Sequence, residues 1–596
     1  MNQRNDAERR MTGAEAVVAS LAAEGVEHVF GYPGGQAIKI YDALYRFGSI
    51  RHILARHEQA AVHEADGYAR ATGRVGVVLV TSGPGATNTV TGIATAYMDS
   101  VPLVVITGQV PRGVIGTDSF QESDIFGITM PVVKHSYLLK SADDLARTFR
   151  EAFHIARTGR PGPVLIDVPS DIASEMVAFR YPEEVDIPSY KPTYVGNARQ
   201  VKAAVARIRQ ASRPVLYAGG GVISSGAGGE LAELAELMRI PVVVTLMGKG
   251  GMPASHPLNL GAVGMHGSKY ANSALTESDL IIAAGARFSD RVTGRLDQFA
   301  PHADVIHIDI DPAEIGKVRA VQVPIVGDLK RVLADINAQL RKEGCRPRTE
   351  EWLETIAEWK ARHPLFEPPS DDQAGEIVPE AVMKRLSDAL DPENSIVVTE
   401  VGQHQMWAAQ YIDRELPRTF LTSGGLGTMG FGFPAAIGAA IGRPGAQVVC
   451  VAGDGSFQMN LQEMATAAAH RVPVKVLLID NRCLGMVHQW QKLFCDGRYA
   501  ATLLDAVPDF VLLAQAYGWQ GERVERPEQV PAALERMLAS EGPYLLDVAV
   551  SRDQDVYPMV APGSGLEDAI GAMDVAVGAV RADASRGAGS GRREEA

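Results

Sequence analysis

The sequence predicts an α/β protein built from three doubly wound domains, each with a parallel sheet covered by helices. Short runs rich in Val, Ile and Leu alternate with longer amphipathic stretches, the pattern of strands joined by helical crossovers. Two such runs, 447–452 and 474–479, lead into polar residues, Asp454 in a Gly-Asp-Gly turn and Asn481. Because ligands of such sheets bind at the carboxyl edge, the pattern also predicts a site there.

The length of 596 residues is enough for about three or four domains. We place the domains at 11–181, 194–342 and 377–575, and expect a disordered Gly/Ser-rich tail at 580–596. A Pro-rich segment at 181–188 and a polar segment at 342–376, with a helix near 352–360, separate them. The further strand-like runs are 75–80, 102–106 and 163–167 in the first domain and 213–218, 241–244, 280–284 and 305–308 in the second.

The composition argues against several classes of protein. A net charge of −14 without a basic stripe argues against a nucleic-acid partner. No apolar run is long enough to cross a membrane, and the first residues lack the apolar core of a signal peptide. The cysteines fit neither a disulfide framework nor a zinc site; they are Cys345, Cys450, Cys483 and Cys495. We therefore expect a cytoplasmic protein.

Asp454 and Asn481 predict a divalent-metal site next to a diphosphate. One carboxylate and one amide oxygen, with a backbone carbonyl, suit a hard ion that keeps its other positions for phosphate oxygens and water. Gly453 and Gly455 let the backbone approach the phosphates, and a helix expected from about Leu461 points its N-terminus toward them. A plain strand–turn–helix is the alternative.

Glu58 follows a short apolar segment and starts a helix expected to run to about Arg70. Alone, it is typical of an acidic residue that complements the helix dipole. Beside a diphosphate site it also fits a partly desolvated carboxyl group in an apolar pocket, where a raised pKa suits proton transfer. The segment 82–88 follows a strand and opens a helix; we expect it to wall the same site, although it also fits a simple tight turn.

Residues 425–430 match the Gly-x-Gly-x-x-Gly pattern of dinucleotide-binding turns. Such a turn needs an acidic residue about twenty positions on, which Asp454 nearly supplies. Since Asp454 is already explained by its pairing with Asn481, we do not favour an NAD site.

Together these motifs resemble the large catalytic subunits of acetolactate synthase (acetohydroxyacid synthase), a family of thiamine diphosphate (ThDP) enzymes, over nearly all of residues 11–575. Glu58, the Gly-Asp-Gly turn and Asn481 are common to ThDP enzymes, whereas the other matching stretches indicate this branch. Those stretches are 30–35, 81–88, 91–94, 107–111, 160–163, 285–288, 290–294, 402–407 and 484–487.

The resemblance implies a reaction, three cofactors and an assembly. Pyruvate would lose carbon dioxide, and its two-carbon unit would join pyruvate to give 2-acetolactate or 2-oxobutyrate to give 2-aceto-2-hydroxybutyrate, the first common step of branched-chain amino acid biosynthesis. ThDP, Mg²⁺ and a structural FAD would be bound. The working unit would be a homodimer or a dimer of dimers with active sites at the interface, joined by a separate small regulatory subunit.

The resemblance also assigns roles to individual residues. The catalytic positions would be Glu58, Phe120, Gln121 and Lys134. ThDP would contact Glu58, Pro84, Asn88, Gln403, His404, Gly427, Thr428, Met429, Asp454, Gly455, Ser456, Asn481, Cys483, Leu484, Gly485 and Met486. Of these, Asp454, Asn481 and the carbonyl of Cys483 would hold the magnesium, and Met429 would wedge the cofactor into a bent shape.

In the middle domain the resemblance assigns flavin contacts, and at the cavity mouth a substrate channel. FAD would contact Arg160, Gly219, Gly220, Gly221, Thr245, Leu246, Met247, Gly248, Gly264, Met265, His266, Gly285, Ala286, Arg287, Phe288, Asp309, Ile310, Gly327 and Asp328. The channel would be lined by Gly35, Pro111, Arg291, Val487 and Trp490. Trp490 stands at the position that discriminates 2-oxobutyrate from pyruvate.

The chain departs from the family pattern at Gln36, Lys39, Ser170, Ser289 and Asp480, where Ala, Pro, Lys, Asp and Asn are usual. The first three border the channel, so they bear on acceptor preference. Two alternatives stay open. One is a sister ThDP enzyme, such as a 2-oxo acid decarboxylase, another carboligase or pyruvate oxidase, although Glu58 argues against glyoxylate carboligase. The other is a silent paralogue, against which the intact cofactor residues argue.

Overall fold

A computed structural model describes residues 9–365 and 375–571 of the protein. These residues form three six-stranded sheets, in which all neighbouring strands are parallel, and one two-stranded antiparallel pair. The predicted class, an α/β protein with three parallel sheets, is confirmed.

The first domain consists of a six-stranded sheet with helices on both faces. Its strands are β1 (Arg9–Thr12), β2 (His28–Tyr32), β3 (Arg51–Leu54), β4 (Gly76–Val80), β5 (Leu103–Gln109), β6 (His135–Leu138), β7 (Pro163–Pro169) and β8 (Met176–Phe179). Its helices are α1 (Gly13–Ala23), α2 (Ile38–Phe47), α3 (Glu58–Thr72), α4 (Pro84–Thr87), α5 (Val90–Met98), α6 (Ile125–Thr129) and α7 (Leu145–Arg157). The sheet order is β3-β2-β4-β5-β7-β6, and β1 pairs with β8 outside it.

The middle domain has the strand order of dinucleotide-binding sheets. Its strands are β9 (Pro214–Ala218), β10 (Val242–Val244), β11 (Asn259–Ala262), β12 (Leu280–Ala284), β13 (Asp304–Asp309) and β14 (Val323–Val326). Its helices are α8 (Ala198–Gln210), α9 (Gly220–Ser225), α10 (Gly228–Met238), α11 (Lys269–Thr276), α12 (Asp290–Thr293) and α13 (Leu329–Lys342), followed by α14 (Glu350–Arg362). The order β11-β10-β9-β12-β13-β14 reverses between β9 and β12, which opens a crevice at their carboxyl ends.

The third domain repeats the strand order of the first. Its strands are β15 (Ser395–Thr399), β16 (Phe420–Leu421), β17 (Gln447–Gly453), β18 (Lys475–Asp480), β19 (Gln520–Val524) and β20 (Tyr544–Ala549). Its helices are α15 (Pro379–Ala389), α16 (Gln403–Tyr411), α17 (Gly432–Gly442), α18 (Asp454–Phe457), α19 (Met464–His470), α20 (Gly485–Phe494), α21 (Phe510–Ala516) and α22 (Val530–Ala539). The order β16-β15-β17-β18-β20-β19 matches β3-β2-β4-β5-β7-β6 strand for strand.

Every strand-like run named from the sequence forms a strand, and the helix expected near 352–360 is α14. The helix expected from about Leu461 is α19, which begins at Met464 after one 3₁₀ turn. The additional turn α18 begins at Asp454 itself and was not expected, because four residues are too few to show helical periodicity. The predicted tail at 580–596 and the last residues of the predicted third domain lie outside the described residues.

None of the helices in the described parts of the chain is both long and apolar enough to cross a lipid bilayer.

Helices α3 and α17 join the first domain to the third at very short range. A Cβ atom at Gly438 would overlap the carbonyl oxygen of Glu64, and one at Gly67 would overlap the carbonyl oxygen of Ala435. Glycine at both positions therefore lets the two backbones touch. Since α3 begins at Glu58 and α17 follows the loop that carries Met429, this crossing fixes two predicted cofactor segments relative to each other.

We expect Gly438→Ala to destabilise the protein by about 1–3 kcal/mol or more, because the added methyl group meets backbone that cannot move aside. The measurement is the denaturant midpoint of the purified chain. The matched control is Gly229→Ala on α10, where a Cβ meets nothing within 4 Å, so the midpoint should stay or rise slightly. Equal midpoints for the two variants would contradict a tight helix crossing.

Candidate active site

A cavity of about 1110 Å³ connects the carboxyl edge of the third sheet to that of the middle sheet. Pockets for one drug-sized ligand usually hold about 300–1000 Å³. The cavity is therefore large enough for parts of two cofactors.

The third-domain cluster consists of Gln403, His404, Asp454, Asn481 and Cys483, which all line the cavity. β17 and β18 are neighbours in the sheet, and they end in Asp454 and Asn481. The two side chains are thus brought to the same edge, as the sequence predicts. Asn481 Oδ1 accepts the N–H of Cys483 at 3.1 Å, and Asn481 Nδ2 donates to Gln403 Oε1 at 3.3 Å.

Asp454 is a buried carboxyl group with unused hydrogen-bonding capacity. Its Oδ2 atom is buried and has no hydrogen-bond partner among the described residues. Burial, with the nearby charge of Asp480, raises the pKa of Asp454 to about 8. Asp480 itself is bonded to Arg523 at 2.7 Å, so it is not free to bind a ligand. A divalent cation held by Asp454, the amide oxygen of Asn481 and the carbonyl of Cys483 would satisfy the unpaired carboxylate.

His404 is suited to an anion rather than to proton transfer. Its ring packs against Gly453, where a Cβ atom would lie 2.7 Å from Nδ1. Burial lowers the pKa of His404 to about 3, so the imidazole is neutral. Its Nε2 is buried without a hydrogen-bond partner in the described structure, and as an N–H it could donate to a phosphate oxygen.

The glycine-rich loop of residues 422–430 does not form a dinucleotide-binding turn. The N–H of Gly425, the first glycine of the pattern, donates to Asp99 Oδ1 at 2.7 Å. Because a protein carboxylate already occupies this amide, the amide is not available to a pyrophosphate. Leu426, Gly427 and Met429 of the same loop line the cavity, whereas Thr428 bonds to Thr95 behind it.

The middle domain presents a glycine cradle where its strand order reverses. Gly285, after β12, has a φ of +57°, and a Cβ at Gly221 would lie 2.6 Å from Gly285 Cα. Both positions therefore require glycine. Most positions assigned to FAD line the cavity, namely Arg160, Gly219, Gly220, Gly221, Thr245, Leu246, Met247, Met265, His266, Gly285, Ala286, Arg287, Asp309, Ile310 and Asp328. Gly248, Gly264, Phe288 and Gly327 are not among its lining residues.

The first-domain cluster, Glu58, Pro84, Asn88 and Gln121, lies at the carboxyl edge of its own sheet and does not line the cavity. Asn88 Nδ2 donates to Glu58 Oε2 at 2.9 Å. A Cβ at Gly83 would lie 2.7 Å from the carbonyl oxygen of Gln121, so the turn before Pro84 touches Gln121. Predicted residues of the first domain are thus gathered together, but apart from the third-domain cluster of the same chain.

Four more of the predicted residues of the first domain lie outside the cavity, namely Gly35, Pro111, Phe120 and Lys134, whereas Arg160 lines it. The ammonium group of Lys134 donates to Thr158 O at 2.8 Å and Tyr190 Oη at 2.9 Å, and also to Ile155 O. Burial lowers the pKa of Lys134 to about 8. Phe120, in contrast, is 86% exposed.

Comparison with known proteins gives one consistent result. The family models of thiamine pyrophosphate enzymes match residues 11–128 with the N-terminal TPP binding domain, 201–336 with the central domain and 400–548 with the C-terminal TPP binding domain. An acetolactate synthase of Arthrospira platensis is 49% identical, with 96% of this chain and 100% of that protein covered. A probable acetolactate synthase large subunit of Methanocaldococcus jannaschii is 50% identical, with 94% and 95% covered. The acetolactate synthase large subunit of Corynebacterium glutamicum is 50% identical, with 95% and 91% covered.

The chain belongs to the acetolactate synthase family. The resemblance stated from the motifs is thereby confirmed. The matched TPP binding domains cover β2 to β5 of the first sheet and most of the third sheet. In this family member Met486, Val487 and Trp490 of α20 line the cavity, together with Leu484 and Gly485. The Arg291 guanidinium of the middle domain lies 5.9 Å from the ring centroid of Trp490, so the predicted channel residues of two domains do meet.

Two residues that the sequence analysis missed hold backbone across the interface between the first and third domains. Asp99 accepts N–H groups of Gly424 and Gly425, and Glu463 accepts the N–H of Arg56, at 3.0 Å to Oε1, just before Glu58. Both are far in sequence from the segments they hold. No local pattern distinguishes them from ordinary acidic residues near helix ends.

We expect Asp454→Asn to remove most of the stabilisation that ThDP and Mg²⁺ give the wild type, about 2.7 kcal/mol at 100 times the Kd. The amide keeps the shape but not the charge that holds the cation. Without ligands the variant should be as stable as the wild type or more so, because a buried carboxylate with an unpaired oxygen is removed. Thermal unfolding with and without ThDP and Mg²⁺ measures both.

Asp480→Asn is the matched control for this change, since it neutralises the adjacent carboxyl, which is bonded to Arg523. It should keep the ligand-induced increase in the unfolding temperature. The metal assignment is contradicted if Asp454→Asn shows the same increase as the wild type.

Proposed function

We propose that this chain is the catalytic large subunit of an acetolactate synthase that uses ThDP, Mg²⁺ and FAD. It would transfer the two-carbon unit of pyruvate to a second 2-oxo acid, either pyruvate or 2-oxobutyrate. The observation that carries the proposal is the third-domain cluster, with its unpaired buried carboxylate, in a chain that is about half identical to curated acetolactate synthases over almost its whole length.

ThDP, when bound, supplies the carbon that attacks the keto group of pyruvate and accepts the electron pair left when carbon dioxide departs. Asp454, Asn481 and the Cys483 carbonyl would bind Mg²⁺ and so hold the diphosphate end. Neutral His404 faces the same space and would donate to a phosphate oxygen. Gln403 also lines it, but its amide N–H groups already donate to Gln489 Oε1 and to the carbonyl oxygen of Gln554, each at 3.0 Å. The backbones of Gly455, Ser456 and Gly485 border that space.

Glu58 would hold and exchange a proton at a ring nitrogen of the aminopyrimidine. Its carboxylate is kept in place by Asn88 and lies close to Gly85, where a Cβ would come within 3.5 Å of Glu58 Oε1. These contacts would hold the Glu58 carboxylate in one position, as proton transfer to a fixed ring nitrogen requires.

The side chains at the cavity entrance would admit a second keto acid to the reaction site more readily than water. Met429, Met486, Val487 and Trp490 give it apolar walls. These side chains would exclude water from the reaction site, which a carboligase requires. Arg291 beside Trp490 would attract the carboxylate of the incoming 2-oxo acid. Gln36, whose N–H donates to Thr81 Oγ1 at 3.2 Å, does not line this cavity within one chain. Gln36 and Ser170 would border the route from the first domain of a second chain and so influence which acceptor enters.

FAD would lie in the glycine cradle of the middle domain and extend toward the third-domain cluster. The Rossmann-type strand order and the cavity that runs from Gly219 to Asp454 support this placement. Asp309, the last residue of β13, and Asp328, which follows β14, both line the cavity and would accept hydrogen bonds from ribose hydroxyl groups. We propose a structural role for the flavin.

The active site would form between two copies of the chain, in a homodimer or a dimer of dimers. Among the described residues, the first-domain cluster does not line the cavity that contains the third-domain cluster. Exposed apolar side chains support a partner surface near both, with Phe120 at 86% and Met130 at 60% in the first domain and Leu426 at 45% in the third. Relatives named as large subunits support a separate small regulatory subunit, and we propose a cytoplasmic location.

The direct test is a product assay with ThDP, Mg²⁺, FAD and pyruvate, with and without 2-oxobutyrate. We expect acetohydroxy acids, detected after acid conversion to acetoin-type products. Glu58→Gln should reduce their formation by about 10²-fold or more, because proton transfer at the pyrimidine is lost. Glu522→Gln makes the same chemical change at a carboxyl bonded to Arg536, outside the cavity, and should keep full activity.

Carbon dioxide or acetate without acetohydroxy acids would instead indicate a sister ThDP enzyme. Bleaching of the flavin by pyruvate would identify an oxidase. No turnover of pyruvate at all, with ThDP bound, would contradict an enzymatic role.

A further inference from the structure

The loop of residues 422–430 connects β16 to α17 and contributes part of the wall of the cofactor cavity. It contains Gly424, Gly425, Gly427 and Gly430, of which the last two have φ angles of +69° and +87°. Glycine-rich segments have little conformational preference of their own. The shape of this loop must therefore come from its contacts.

Asp99, at the end of α5 in the first domain, provides one set of these contacts. Its carboxylate accepts the N–H of Gly424 at 3.1 Å and the N–H of Gly425 at 2.7 Å. Its side chain is only 1% exposed. Two adjacent N–H groups bonded to one buried carboxylate make strong, charge-assisted hydrogen bonds.

Arg70 of α3 completes this attachment. Its guanidinium pairs with Asp99 at 3.0 Å and donates to the carbonyl oxygen of Thr422 at 2.8 Å. Asp66 binds the same guanidinium at 2.5 Å but makes no contact with the loop among its recorded hydrogen bonds. The first domain thus holds both a carbonyl and two amides at the start of the loop.

The far end of the loop is held by its own domain. Glu400 accepts the N–H of Gly430 at 2.8 Å and that of Phe433 at 3.0 Å. Between the two attachments lie Leu426, Gly427 and Met429, which line the cavity together with Ser423, Gly424 and Gly425 at the start of the loop. Fixing both ends determines where the three residues between them stand.

We infer that Asp99 is a positioning residue for ThDP, acting from the first domain on the cofactor loop of the third domain in the same chain. The inference rests on the proposed function, because it concerns how that cofactor is held. Asp99 borders the cavity, but its carboxylate is already bonded to Arg70 and to the N–H groups of Gly424 and Gly425, so it acts by setting the position of Gly427 and Met429. The first domain then contributes twice, through the first-domain cluster and through this loop.

The test compares Asp99→Asn with Asp66→Asn in the full-length chain. Each variant removes one of the two carboxylates that flank Arg70, so both should lower the unfolding temperature of the ligand-free protein. Only Asp99→Asn should weaken ThDP binding in the presence of Mg²⁺, by about tenfold or more, because only it alters the group that accepts the N–H groups of Gly424 and Gly425. Isothermal titration with ThDP measures the Kd.

Gly425→Ala tests the same contact without changing any charge. A Cβ at this position would lie 2.8 Å from Asp99 Oδ1 and 2.8 Å from Arg287 Nη2, so the loop must shift. The Kd of Gly425→Ala for ThDP should rise as it does in Asp99→Asn. If Asp99→Asn does not fold, the Kd of Gly425→Ala tests the inference in its place.

If Asp99→Asn binds ThDP with the wild-type Kd, the inference is wrong but the proposed function still stands. Where Asp99→Asn does not fold, a wild-type Kd in Gly425→Ala would have the same meaning. An equal loss of affinity in Asp66→Asn would also overturn the inference, since stability rather than position would then explain the effect. If the wild type itself does not bind ThDP, the proposed function fails and the inference with it.

Discussion

The close crossing of α3 and α17 is the contact on which the rest of the site depends. Gly67 and Gly438 let the two helices touch through their backbones, and this fixes the first domain against the third. Glu58 starts one helix and the loop with Met429 leads into the other. One contact therefore orients the parts of a chain that would hold the two ends of ThDP, while it leaves them at separate sheet edges.

Buried carboxylates around this crossing divide into two kinds. Asp99, Glu400 and Glu463 accept backbone N–H groups and so shape the segments beside the cavity. Asp454 and Glu64 differ, because Asp454 Oδ2 and both side-chain oxygens of Glu64 remain without a hydrogen-bond partner among the described residues; of these two, only Asp454 lines the cavity. Buried polar groups are normally satisfied, so an unsatisfied carboxylate in a cavity indicates a place for a ligand. Asp454 is therefore the carboxylate best suited to hold a cation.

The sequence was sufficient for the three sheets, because fully buried parallel strands such as β4 and β17 read as continuous apolar runs. The sequence was also sufficient to predict that Asp454 and Asn481 lie at the same sheet edge, because the ends of adjacent parallel strands meet there. It could not show that Asp99 holds Gly425, since contacts between distant segments leave no local pattern. The separation of the first-domain cluster from the cavity depends on domain packing, which strand and helix periodicity do not encode.

The central claim is that each active site combines the first domain of one chain with the third domain of another. Mixing Glu58→Gln chains with Asp454→Asn chains, after dissociation and reassociation, tests it most directly. Each mixed dimer would contain one site with both residues intact, so acetolactate formation should return to about a quarter of the wild-type level. Mixed dimers that form, as shown by differently tagged chains, but remain inactive would contradict the claim.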